Sequence, residues 1–177
     1  SVLGQKLDEY HQGIAENIIV LSKDKILNDL RQCADTYLDD GRLSLARQSY
    51  LQALKLTENN QSWPYIGLGV IGLELNDLDE AEMAFIAASQ CEDICTQAYC
   101  GLARVYQLRG LFEDAEAVYD TALKIEPGNL VTITGLFRLC RQSGKFEAIV
   151  DCLGRYLKRH PDDIQMMLCL ASLYYGK

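Results

Sequence analysis

The chain has 177 residues, a formal charge of −8 and 49% hydrophobic side chains. That much apolar material buries a sizeable core and excludes wholesale disorder. The acidic balance excludes nonspecific nucleic-acid binding and docking on anionic membranes, both of which need a basic surface. The longest uncharged stretch, Asn59 to Leu73, contains Pro64 and three glycines and falls short of the roughly 20 apolar residues of a membrane-spanning helix.

The N-terminus lacks the basic, apolar and small-residue succession of a signal peptide. Seven cysteines is an odd count, which points to free thiols in a reducing compartment. The expected location is cytoplasmic.

Residues 1–26 carry Leu3, Leu7, Tyr10, Ile14, Ile18 and Leu21. This apolar stripe at helical spacing predicts a capping or packing helix. From residue 27 the chain repeats itself. Residues 41–58 read GRLSLARQSYLQALKLTE and residues 110–127 read GLFEDAEAVYDTALKIEP. Further copies begin at Asn76 and, more divergent, at Gly144. The small residues Ala46, Ala81 and Ala115, with Ile149 in the fourth copy, recur at steps of 35, 34 and 34 residues. Large residues follow four positions on, at Tyr50, Phe85, Tyr119 and Leu153. Three further on come Ala53, Ala88, Ala122 and Tyr156.

The half-repeat before each glycine has its own pattern. It reads Leu30-Cys33-Ala34-Tyr37, Tyr65-Leu68-Gly69-Gly72, Tyr99-Leu102-Ala103-Tyr106 and Ile133-Leu136-Phe137-Cys140. Steps of three, one and three place these residues on one helix face. Gly41, Asn76, Gly110 and Gly144 are placed to end each first helix in the left-handed conformation, and Pro127 and Pro161 to stop second helices. Sustained period-two alternation is absent, so the chain is predicted all-α. A single helix pair cannot bury its apolar face, so neighbouring pairs must stack.

These motifs resemble the tetratricopeptide repeat family, over roughly residues 27–177. The resemblance implies a right-handed superhelical solenoid of antiparallel helix pairs. Its repeats are expected at 27–60, 62–95, 96–129 and 130–163, with a partial fifth at 164–177. In the fourth copy, Ile149 and Tyr156 stand where small residues are usual, which is expected to push its two helices apart. In the partial fifth unit, Met167, Leu170, Ala171 and Tyr174 repeat the first-helix pattern. That helix is apolar all round, with Met166, Leu168, Leu173 and Tyr175 in addition. The expectation is that the chain is part of a longer protein; the alternative is that the terminal helices pair with another copy.

Several motifs that suggest chemistry resolve into packing. Gly67-Leu68-Gly69-Val70-Ile71-Gly72 matches GxGxxG. A dinucleotide site needs that motif between a strand and a helix start, whereas here it falls inside a repeat's first helix. Cys91, Cys95 and Cys100 lack the close pairing and fourth ligand of a zinc site, although Cys91 and Cys95, near a helix end, are expected to be the most reactive thiols. Cys33, Cys140, Cys152 and Cys169 read as small apolar fillers. Asp39-Asp40, Asp79-Glu80 and Asp162-Asp163 sit at turns and helix starts, where they complement the helix dipole. With no P-loop, HExxH or GxSxG and only His11 and His160 as imidazoles, neither enzymatic activity nor a metal or other cofactor is expected.

The resemblance implies that first helices line a concave groove, with the groove stripe one position after the core stripe. The peptide-binding residues are then expected at Trp63, Ile66, Val70 and Leu73 as an apolar wall. Arg104, Gln107, Arg138 and Arg141 would lie beside it. Arginine offers planar bidentate contacts to carboxylates, so the expected partner is a protein or peptide with an acidic group and an apolar anchor. Chaperone-tail receptors of this family use a clamp of Lys, Asn, Asn, Lys and Arg. The matching positions here are Arg31, Asp35, Gly67, Gln97 and Gly101, and four of the five cannot play that role. Acidic translocator chaperones of bacterial type III secretion are similar in size and charge and have a glycine-rich second copy, so a secretion-type chaperone is the alternative function. The fourth repeat and partial fifth depart from that pattern.

Overall fold

The structure, a computed structural model, describes residues 22–58, 60–91, 95–144 and 146–175, apart from the side chain of residue 148. The stripe expected over residues 3–21 lies outside these. Among the described residues every regular element is helical. The first, α1, covers residues 22–39. It is followed by α2 (Leu43–Leu56), α3 (Ser62–Glu74), α4 (Leu78–Ser89), α5 (Thr96–Leu108), α6 (Phe112–Ile125), α7 (Leu130–Ser143), α8 (Glu147–Arg159) and α9 (Ile164–Tyr175). The boundary expected between residues 26 and 27 falls inside the continuous α1 helix.

The turns within pairs form as their residue types dictate. Gly41, Gly110, Gly144 and Asn76 have positive φ values of 72°, 77°, 74° and 56°, the left-handed conformation that glycine and asparagine tolerate best. In the first three pairs the chain then turns back through a six-to-one bond. The N–H groups of Arg42, Asp77 and Leu111 donate to the carbonyls of Tyr37, Gly72 and Tyr106 at 2.8, 2.8 and 2.9 Å. Helix starts are capped by Asp77, which accepts from the Glu80 N–H at 3.0 Å, and by Asn129, which accepts from the Thr132 N–H at 2.9 Å.

From α2 onward each helix packs on its neighbour in sequence, and α3 also touches α5 as α5 touches α7. The odd-numbered helices therefore form one layer and the even-numbered helices the other, as an all-α solenoid. Ala46, Ala53, Ala81, Ala88, Ala115 and Ala122 are fully buried, and such small side chains let backbones approach closely. In the fourth pair the bulkier Ile149 and Tyr156 are buried in their place, and α7 packs less closely on α8 than α3 on α4 or α5 on α6.

In α9, Met166 and Leu173 are buried, whereas Met167 and Tyr174 of the expected inner pattern are 42% and 60% exposed. The reason is that no second helix follows among the described residues to cover that face. Cys33 is also exposed rather than an interior filler, because it lies on the outer side of the first described helix. Cys100, Cys140 and Cys152 are buried.

Candidate peptide-binding groove

The inner face of α3, α5, α7 and α9 encloses a cavity of about 670 Å³, within the range of pre-formed ligand sites. Of the expected groove residues, Ile66, Val70, Leu73, Arg104 and Arg138 line this cavity together. Trp63 lies in a separate hollow with Arg31, whose guanidinium sits 5.4 Å over the indole ring. Gln107 is buried behind the groove, where it accepts from Arg104 Nη1 at 3.3 Å and donates to Gln142. Arg141 is exposed and stands outside the cavity.

The floor comes from residues that the one-face reading of first helices leaves out. Phe85 and Tyr119 belong to α4 and α6 in the outer layer, yet both line the inner cavity. They reach it through glycines. A Cβ on Gly101 would collide with the Phe85 ring, and one on Gly135 would lie 2.5 Å from the Tyr119 hydroxyl. Gly67 stands in the same relation to Tyr50. Gly67, Gly101 and Gly135 recur every 34 residues, each facing the large residue of the preceding second helix. That register is visible in the sequence, and it marks the floor.

Among the described residues no aspartate or glutamate lines the cavity, although the chain is acidic overall. Among the described residues no carboxylate lies within ion-pair distance of Arg104 or Arg138, while Arg31, Arg47, Arg109 and Arg155 all have such partners. Tyr119 is only 2% exposed. Burial pushes its phenol up to about 12, and the positive charges of Arg104 and Arg138 act against that rise. Both guanidiniums thus act on the one hydroxyl. No described group hydrogen-bonds that hydroxyl, and no buried side-chain oxygen or nitrogen is sealed without a partner. Its oxygen therefore opens to the groove rather than to the core.

No group of histidine, cysteine and acidic residues fit to hold a metal ion occurs among the described residues, nor a helix long and apolar enough to cross a membrane.

Tetratricopeptide-repeat family models match residues 34–94 and 96–129. The chain belongs to the tetratricopeptide repeat family. A curated relative, BBSome complex member BBS4 of Bos taurus, is 26% identical over 149 residues, covering 82% of this chain; the chain spans only 28% of that relative's length. A thermophilic tetratricopeptide protein of Thermus thermophilus, TTC0263, superposes with a TM-score of 0.67 at 20% identity, over 82% of this chain and 80% of its own. The second tetratricopeptide domain of human RPAP3, solved in complex with the HSP70 peptide SGPTIEEVD, superposes with a TM-score of 0.59 at 16% identity, over 66% of this chain and 97% of that domain. Likenesses of this kind establish a shared fold.

Proposed function

We propose that this chain is a non-catalytic protein-interaction scaffold whose inner groove binds a peptide carrying an acidic group and an apolar anchor. The observation that supports this reading most directly is the groove's composition. Among the described residues, two arginines without a carboxylate partner stand beside Ile66, Val70 and Leu73, and no acidic residue lines their cavity. Guanidiniums whose charge meets no described carboxylate, set beside an apolar wall, favour a ligand that brings both a carboxylate and a hydrophobic side chain. The relative named as a complex member and the RPAP3 domain bound to an acid-bearing peptide are consistent with a scaffold role. The acid here is read by Arg104 and Arg138, because Asp35, Gly67, Gln97 and Gly101 replace four of the five clamp residues of chaperone-tail receptors.

The test is charge reversal. Arg104→Glu with Arg138→Glu should leave the circular dichroism of the fold intact and lower capture of native partners at least about tenfold, since each charge-assisted contact contributes about 1.5–3 kcal/mol. Undiminished capture would refute the groove assignment. A second reading, self-association through α9, rests on its exposed Ile164, Leu168, Tyr174 and Tyr175. Light scattering that shows a strict monomer at high concentration removes it.

A further inference from the structure

The groove's acid site is built from three groups on three helices. Arg104 comes from α5, Tyr119 from α6 and Arg138 from α7. Tyr119 is the unusual member. A buried tyrosine normally finds a hydrogen-bond partner within the protein, as Tyr50 does by donating to Asp35 at 2.9 Å and Tyr156 by donating to Asp163 at 3.0 Å. Tyr119 has none among the described residues, although it occupies the repeat position that Tyr50 holds. Its hydroxyl lies beneath Gly135, where any side chain would cover it. One repeat earlier, Phe85 lies in the same way beneath Gly101 and faces the same cavity.

We propose that Tyr119 donates a hydrogen bond to the partner's carboxylate, which Arg104 and Arg138 bracket, while the Phe85 ring beneath Gly101 seats an apolar side chain of the same peptide. This rests on the groove reading above and sets a spacing rule. Gly101 and Gly135 lie on α5 and α7, adjacent first helices whose axes stand about 8–10 Å apart. A peptide in the polyproline II conformation, a major conformer of unfolded chains, advances about 3.1 Å per residue and returns to the same face every third residue. The acidic and apolar residues are therefore three positions apart in a ligand of that conformation. Glutamate or aspartate is selected over glutamine because both arginines are cationic and offer only donors, and a neutral amide would set its own donors against them.

The experiment uses fluorescein-labelled decapeptides on a glycine-serine host, each with one leucine and one glutamate separated by zero to four residues in either order. Anisotropy titrations are run on the full chain, on Tyr119→Phe and on Arg104→Gln with Arg138→Gln. The expected result is tightest binding with two intervening residues and about tenfold weakening when glutamate becomes glutamine. Tyr119→Phe should weaken the glutamate peptide by roughly three- to tenfold and leave the glutamine peptide unchanged, as loss of one hydrogen bond to a charged acceptor requires. Its thermal midpoint should not fall, because the hydroxyl has no hydrogen-bond partner to lose among the described residues.

If the arginine variant loses the acid preference but Tyr119→Phe keeps wild-type affinity, the groove reading stands and the role of Tyr119 is overturned. A flat dependence on spacing overturns the Phe85 anchor. If no peptide binds the wild-type chain, the groove reading itself fails and takes this proposal with it.

Discussion

The glycines of the inner helices lead to a paired substitution with opposite signs. Replacing an exposed helical glycine with alanine normally stabilises by about 0.5–1 kcal/mol, because alanine loses less backbone entropy in a helix. Gly154 in α8, half-buried but with nothing within 4 Å of where a Cβ would stand, is expected to behave the same way. Gly101 does not. Its Cβ would strike the Phe85 ring, which is 1% exposed and already held from the other side by Gly69, where a Cβ would come within 2.7 Å. The ring is packed against both glycines and can shift only toward the groove, so the overpacking cost lies near the upper end of about 1–3 kcal/mol. Subtracting the helix gain of about 1 kcal/mol leaves Gly101→Ala destabilised by roughly 2 kcal/mol. For a chain of this size that is a fall of about 4–8 °C in thermal midpoint, against a rise of about 1–4 °C for Gly154→Ala. Calorimetry and urea unfolding of the two variants in the same buffer decide the matter. Should Gly101→Ala be neutral or stabilising, Phe85 is not pinned between α3 and α5, and the account of the groove floor is wrong.

Other consequences are as direct. Arg109 bridges Asp79 and Glu82 of the preceding pair at 2.5 Å each. Arg109→Met should cost about 1 kcal/mol at low salt and less at 1 M salt, where such pairs are screened; an unchanged salt dependence would contradict the link. Gly144 holds a φ of 74°, so Gly144→Ala should destabilise by about 1 kcal/mol despite the open space around it, as urea unfolding will report. Asp163 accepts from the Met166 N–H and the Tyr156 hydroxyl, and chiefly the backbone bond holds its carboxyl below the usual value of 3.8. A lowered folded-state value means this capping of α9 is complete above pH 3.8 and lost as pH falls through the lower folded value; hydrogen exchange of α9 should rise there, and Asp163→Asn should flatten the rise. Burial pushes the Cys140 thiol up to about 11 and raises Cys100 and Cys152 as well. Brief alkylation of the native chain, read by peptide mass spectrometry, should therefore label exposed Cys33 well before those three.

Much of the architecture can be read along the chain because a repeat solenoid is built from local rules. The left-handed turns at Gly41, Asn76, Gly110 and Gly144, the helix faces and the alanine contacts each depend on residues a few positions apart. Their recurrence at 34 residues then dictates stacking. The groove was legible as far as the same local logic reaches: one position beyond the core stripe come Ile66, Val70, Leu73, Arg104 and Arg138, and these share a cavity. Local periodicity failed for Gln107, which is buried and donates to the exposed Gln142 of α7 instead of standing free in the groove. It also failed for Trp63, which packs near Arg31 and Tyr50 at the other end of the inner face.

The sequence by itself determined the helix pairs, their turns, the repeat length and the excess of arginine on the inner stripe. Each of these follows from residue type and spacing within one unit. Only the tertiary structure decided what forms the floor of the groove. Phe85 and Tyr119 belong to outer helices, and they reach the inner face because glycines of the next repeat leave room for a ring to pass. That outcome depends on how far apart two stacked helices stand, which no single helix encodes. Among the described residues the same packing leaves the Tyr119 hydroxyl without a hydrogen-bond partner, beside two arginines without a carboxylate, within a chain of net negative charge.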